Sequence, residues 1–535
     1  MVVFSLSTAK TGASSRVLDE HELANVGPSH AALDDRKLPY VNDDPEARPR
    51  SPFRLHDPQR VTPLPKAQLF TLCSVRLIDP IAFTQIFPYV NEMMDRLHLT
   101  NDPSKIGFYS GLVESSFAVS QLCCIYHWAR VSDRIGRRPV VLAGILGIGV
   151  STILLGLAHS LGGVLLARSV AGIFSGNIAV IHSVLGEITD ATNQAVAFPI
   201  YGLFWPLGAI IGLNLFSAHR PLLGGTFSRP AERFPSFFDY EFLRAYPYFL
   251  PCFVAGCLSL AGAALVYLFL EETLPSKRNN GEYVPMRQVG SEHGTVDPEK
   301  PAEPAGVRAL LSIPLVKALC LSGFALSFLN TGFDVTFVLF SYSAIERGGL
   351  NFETHQIGYA LAMSGAASVL LQLFFMPYLL RRFDHARMYN ACMALWPFCY
   401  VLMPGLNLIA RAGTADGVVM NAGAKAMVWV GIAGLLGLAR TACLAYSVSM
   451  ILVKEAAPDP SSLGATNGLC QFFMCFARSF SPAFVSSLFA FSNGFDFVLL
   501  HYLWVLVMVI ISFLGTTLSR RIAEGRRVRP ALARA

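Results

Sequence analysis

The sequence predicts an all-α membrane protein with twelve transmembrane helices in two pseudo-symmetric six-helix bundles. Three observations predict it. Of the 535 residues, 53% are hydrophobic and only 15% are charged, against about 25% charged in a soluble domain. Apolar runs recur along the chain, each long enough (about 18 residues or more) to cross a hydrocarbon core of ~30 Å. The runs also fall into two blocks of about 210 residues flanking one polar segment, the weak internal symmetry of duplicated membrane folds. Backbone groups in lipid must be satisfied within the segment, which selects helices. The alternating ~10-residue strands of a membrane barrel are not visible.

Residues 1–65 are polar and rich in Asp, Arg, Pro and His, without an apolar core for a signal peptide, and are expected to form a disordered cytosolic tail. Ser5, Ser14 and Ser15 are candidate phosphorylation sites there. The N-terminal bundle, 66–274, holds spans near 67–91, 106–127, 139–158, 163–187, 195–216 and 246–270. A proline-punctuated cytosolic linker follows at 275–310. The C-terminal bundle, 311–519, holds spans near 312–342, 356–380, 388–409, 426–453, 464–491 and 497–518, before a basic cytosolic tail at 520–535.

The duplication shows in single residues. Asp79 sits within the first span of one half and Asp334 within the first span of the other. The basic run Arg130, Asp133, Arg134, Gly136, Arg137 and Arg138 after span 2 is echoed by Arg381, Arg382, Asp384, His385 and Arg387 after span 8. Basic residues in these loops, the linker and the C-terminal tail all fall on one side of a twelve-span chain, placing both termini in the cytosol. The 5–6 loop is the exception, with Arg220, Arg229, Arg233 and Arg244 outside, partly balanced by Glu232, Asp239 and Glu241. The net charge of +6 therefore reads as topogenic, and no nucleic-acid partner is expected. All eleven cysteines lie in or beside apolar runs without a CxxC pair, as packing residues do. His127, His182 and His501 are solitary, so no metal site is expected. The HxxxxD match from His30 to Asp35 lies in the polar tail, so no catalytic constellation supports an enzyme.

Ionisable groups at membrane depth are costly and mark a watery path or a pair. Arg76, Asp79, Glu114, Arg168, Asp334, Arg440 and Arg478 are such groups. Arg76 and Asp79 are three apart and share a helix face, so they can pair. Asp79, Glu114 and Asp334 are proton-carrier candidates, because a desolvated carboxylate can change protonation between two faces. The structural alternative for each is a static ion pair, and Glu114 could instead contact a cationic substrate. Phe117, Tyr201, Trp205, Phe337 and Arg440 are candidate substrate-lining residues, alongside Phe204, Phe333, Tyr342 and Trp396, against the alternative of helix packing. The pairs Gly172/Gly176 and Gly208/Gly212, and the repeat Gly431, Gly434 and Gly437, predict close helix contacts.

The segment ARVSDRIGRRP, ending at Pro139, resembles the loop 2–3 signature of the major facilitator superfamily through Asp133, Arg134, Gly136, Arg137 and Arg138, with Ala129 in place of the first Gly. The resemblance covers about residues 66–520. Arg168 to Asn177 resembles the helix 4 signature of the drug:proton antiporter branch. Arg244 to Pro251 and Leu463 to Gly468 resemble the fungal subgroup related to zinc-induced-facilitator-like transporters. This resemblance implies a gate in which Asp133 faces the N-terminus of helix 11 near Gly464 to Gly468, Glu187 pairs with Arg134 or Arg137, and Gly136 makes a tight turn. It implies that Arg168 promotes proton release. It also implies a monomeric carrier in the lipid bilayer that exports a small organic molecule, needs no cofactor beyond the proton gradient, and resides in the plasma membrane or the vacuolar membrane. Helix 5 reads Gly208 to Asn214 without the Gly-Pro of the antiporter motif, which leaves an uptake symporter or a uniporter open. A non-transporting sensor on the same fold is a further class, which long cytosolic tails would favour.

Overall fold

The computed structural model describes residues 62–86, 89–97, 106–215, 240–274, 277, 306–414, 420–493 and 498–532. Most of the N-terminal tail (with Ser5, Ser14, Ser15, His30 and Asp35), most of the 275–310 segment, and Arg220, Arg229, Glu232, Arg233 and Asp239 lie outside the described residues.

Among the described residues, twelve long helical segments follow one another. The first six are α1 (Lys66–Thr84), α2 (Ile106–Ile135), α3 (Arg137–Gly156), α4 (Leu161–Glu187), α5 (Gln194–Leu215) and α6 (Phe249–Phe269). The second six are α7 (Pro314–Tyr342), α8 (Gln356–Arg382), α9 (His385–Ala412), α10 (Ala422–Ala456), α11 (Leu463–Asn493) and α12 (Leu503–Leu532). Among the described residues, nine of these are long and apolar enough to cross a membrane; α1, α2 and α5 fall outside that group.

Local chemistry sets the ends. Ser160 caps α4 by accepting from the Gly163 N–H at 3.2 Å, and Asn421 caps α10 by accepting from the Ala424 N–H at 2.7 Å. Asp384 caps α9 through the Arg387 N–H, and Pro314 opens α7, where its missing N–H costs nothing. Three boundaries differ from the sequence reading. Helix α2 runs on to Ile135, so Asp133 and Arg134 belong to its last turn and Gly136 alone separates it from α3. Helix α1 stops at Thr84, one turn past Pro80, and a separate short helix, Val90–Arg96, follows. Helix α12 continues to Leu532, so the basic C-terminal stretch begins as helix. Charged residues tolerate helix equally well in water, and hydropathy shows only where lipid ends.

Helix α9 is interrupted between Met393 and Trp396, and α4 and α10 are jointed at matching places. The helical ladder of α4 breaks between Ser175 and Ile178, and that of α10 between Ala442 and Ala445. Close approach explains several glycines. A Cβ at Gly172 would lie 2.3 Å from the Phe117 carbonyl oxygen, and one at Gly176 would lie 2.8 Å from Trp128, so both let α4 press on α2. At Gly208 it would meet the Leu77 carbonyl at 2.4 Å. In α10, Gly431 packs on Leu406, but Gly434 and Gly437 face open space, so the expected glycine seam is only one residue deep.

Candidate functional site

Helices α2 and α3 meet at Gly136, whose φ of +110° is a left-handed conformation that favours glycine. The tight turn brings Arg137 back over α2. Its guanidinium Nη1 donates to Asp133 Oδ1 at 2.5 Å and to Ser132 Oγ at 2.7 Å, while Nη2 donates to Glu187 Oε1 at 2.8 Å. All three charged side chains are essentially sealed from solvent, at 0% for Arg137 and Asp133 and 6% for Glu187. Of the two partners left open for Glu187, the structure chooses Arg137; Arg134 is exposed. Thr273 Oγ1 donates to the other Glu187 oxygen at 2.5 Å. Glu272 then caps α3, accepting from the N–H groups of Arg137 at 2.8 Å and Arg138 at 3.2 Å, an anion at a helix N-terminus. Arg138 lies over the Tyr267 ring.

This network reaches the second bundle through one atom. Asp133 Oδ2 accepts the N–H of Ala465 in the first turn of α11 at 2.8 Å. Gly464 makes that approach possible, since a Cβ there would sit 2.0 Å from Asp133 Oδ1 and 2.4 Å from Arg137 Nη1. Further bonds between the bundles run inward from this face. Asn467 Nδ2 donates to Ser183 Oγ at 3.1 Å, Gln471 Nε2 bonds to His182 Nδ1 at 3.0 Å, and Cys475 Sγ lies 3.6 Å from Gln121 Oε1. Beside them Lys454, near the end of α10, donates to the carbonyl and hydroxyl of Thr189 just past α4. Asp190 shapes that turn outside the spans: slight burial raises its carboxyl, but hydrogen bonds from Thr192 and Thr62 outweigh this and lower it to about 2. A cavity of about 500 Å³ opens at the same face between Thr192, Gln194, Arg381, Asp384, His385 and Glu455. Bonds between the bundles therefore close the face where α2 meets α3.

Deeper in the bundle, Arg76 lies with its guanidinium carbon 4.6 Å from the Trp205 ring and 5.2 Å from the Tyr201 ring, and no ion pair joins it to Asp79. Asp79 instead accepts from Ser175 Oγ, at 3.3 Å, at the α4 joint. Arg168, 2% exposed, lies over Phe117 at 4.7 Å and Phe83 at 5.8 Å, with Glu114 the carboxylate whose charge acts on it. Asp334 is different: Arg440 Nη2 holds its Oδ1 at 2.5 Å. Arg478 donates to the Cys475 sulfur. The lining candidates divide. Phe117, Tyr201 and Trp205 lie against the two arginines. Phe337 is 1% exposed and stacks on Phe333, which also meets Trp396, so these rings fill the core of the second bundle.

Sequence reasoning missed Glu272, Thr273, Lys454, Thr189, Ser175, Gln471 and Asn467 as members of the site. Asn467 and Ser175 carried a signal, within the runs Leu463 to Gly468 and Arg168 to Asn177.

The family model described as Major Facilitator Superfamily matches residues 72–482. The major facilitator-type transporter psiT2 of Psilocybe cyanescens is 39% identical over 86% of this chain and 91% of its own length. The efflux pump azaK of Aspergillus niger is 28% identical over 79% of this chain and 81% of its own. The plant protein ZINC INDUCED FACILITATOR-LIKE 1 of Arabidopsis thaliana is 26% identical over 80% of this chain and 84% of its own. Among solved structures, the human organic anion transporter MFSD10 superposes with a TM-score of 0.61 at 16% identity, over 86% of this chain and all of that one, a likeness of fold.

Proposed function

The chain belongs to the Major Facilitator Superfamily and is an integral multi-pass membrane transporter, and from that premise we propose that it exports a small organic molecule in exchange for protons. The observation that carries the reading is Asp79. It is a carboxylate within a span whose direct partner is a neutral hydroxyl, Ser175, at 3.3 Å, while Asp334, its counterpart in the second half, is tied to Arg440. A carboxylate in a watery path without a bound counter-charge can load and release a proton, whereas an ion-paired one resists protonation. The likeness to a protein named as an efflux pump supports the outward direction.

The closed face supports a reading of alternating access. The cluster of basic residues at the α2–α3 turn supports a cytosolic position for that face and both termini. The arrangement is then the one that faces outward, and breaking Asp133 from α11 and Lys454 from Thr189 opens it inward. The plasma membrane suits export from the cell; the vacuolar membrane suits sequestration. The test is purified protein in liposomes with an imposed pH gradient and a panel of fluorescent organic dyes of both charges. Dye movement indifferent to the gradient would sink the coupling.

A second reading, co-transport of an organic acid with a proton, is favoured by a different observation. Arg76, Arg168 and Arg478 line the deeper region, and among the described residues none of them makes an ion pair with a carboxylate; the carboxylates nearby are Asp79 and Glu114. An acid bound there and a proton on Asp79 would assist each other.

A further inference from the structure

Burying a guanidinium without a counter-charge costs several kcal/mol. Arg76 is 9% exposed, and its Nε and Nη1 have no hydrogen-bond partner. The faces of Trp205 and Tyr201 return only about 0.5–2 kcal/mol by cation–π attraction. Asp79, one turn along α1, acts on Arg76 through space without a direct bond, so the two nitrogens stay open to the oxygens of a ligand. The neighbours are in the same state. Tyr201, 0% exposed, has an unpartnered hydroxyl, and its ring meets that of His182 at 5.7 Å, whose Nε2 is also unpartnered. Three adjacent side chains, from α1, α5 and α4, thus hold unused hydrogen-bonding capacity, and the one fixed charge among them is positive.

We propose that Arg76, with Tyr201 and His182, forms a binding site for the acid group of an organic substrate, a carboxylate, sulfonate or phosphate monoester. The proposal rests on this region being the substrate path and not on the direction in which protons move. Arginine suits the task because its planar fork stays charged and matches the oxygens of such groups. Trp205 holds the guanidinium plane, and Tyr201 and His182 supply neutral hydrogen bonds. Asp79 lies one turn along α1 on the same face, with the charges of both Arg76 and Arg478 acting on it. Its ionised form opposes an acid bound beside it, and its proton-loaded form does not.

The test uses full-length protein in lipid nanodiscs and three naphthalene probes of one shape: 1-naphthoate, 1-naphthalenemethanol and 1-naphthylmethylamine. Calorimetry should show the acid binding at least about ten-fold tighter than the alcohol, as expected for a charge-assisted pair. In Arg76→Gln the acid should lose that advantage while alcohol binding and thermal stability persist; Arg76→Lys should keep part of it. The proposal is overturned if the acid binds no tighter than the alcohol, if the amine binds tightest, or if acid preference survives Arg76→Gln. Should Arg76→Gln fail to fold, the probe series on the native protein and on Arg76→Lys still decides. Acid binding without gradient-linked transport would instead refute proton exchange and leave this site standing.

Discussion

Asp133 offers the sharpest test of the closed face. Replacing it by Ala removes the buried contact to Arg137 and the bond from the Ala465 N–H, but only the second joins the bundles. A hydrogen bond to a charged group is worth about 1.5–3 kcal/mol, and the N-terminus of α11 adds about 0.3–1 kcal/mol for an anion. Together they favour closure by roughly 2–4 kcal/mol, a shift of about 30- to 700-fold in the open-to-closed ratio at 1.4 kcal/mol per decade. Arg137 keeps Glu187, so folding should survive. Asp133→Asn retains an oxygen for Ala465 and should fall between native and Ala. Electron–electron distance measurements between unnatural-residue labels at the exposed positions Arg130 and Asp459 would read the ratio without disturbing the eleven cysteines. A distance distribution in Asp133→Ala identical to the native one would refute the reasoning, whatever happens to transport.

Gly464→Ala should wedge the same face open and cut transport at least ten-fold, because its Cβ would collide with Asp133 and Arg137, whereas Gly434→Ala, with nothing within 4 Å, should be silent in the same assay. Lys454→Ala should weaken closure by about 1.5–3 kcal/mol, read as a longer distance between the same labels. Asp334→Asn should reduce protein yield by stranding Arg440, and Asp334→Asn with Arg440→Gln should restore it; transport restored alongside yield would make the pair a tie between α7 and α10, and transport still lost would make Asp334 a proton carrier. Asp190, lowered to about 2, contributes stability that is full above its ordinary value near 4 and fades only as pH falls through about 2. Asp190→Ala should therefore change the amplitude of transport without moving its pH profile between pH 5 and pH 7.

The periodic, lipid-facing part of this protein was legible in its residues. Apolar length gave the order of the twelve helices, though not the ends of α1, α2 and α12, and the Asp133 to Arg138 run pointed to the closed face through its resemblance to the loop 2–3 signature. The partners on the other side of that contact were not legible. Glu272 and Thr273 read as the start of a linker, and Lys454 as one more basic residue at a helix end, because pairing across the fold leaves no trace in local spacing. Arg76 and Asp79 teach the converse: proximity along one helix suggested a pair, yet the aromatic rings of α5 claim the guanidinium. For Phe337, hydropathy could not tell a ring that fills a bundle core from one that borders a path, and the structure gives it to the core.

The breaks in α4 and α10 have a mechanical consequence. A straight rod carries tilt from end to end; an elbow absorbs it. Ser175 is the last residue before one elbow and Arg440 lies just before the other, so the contacts of Asp79 and Asp334 are made where the rods bend. Losing such a contact would let one arm swing while its other arm stays docked. The two ends of the passage could then be sealed in turn, with an interval in which both are shut and no ion slips through.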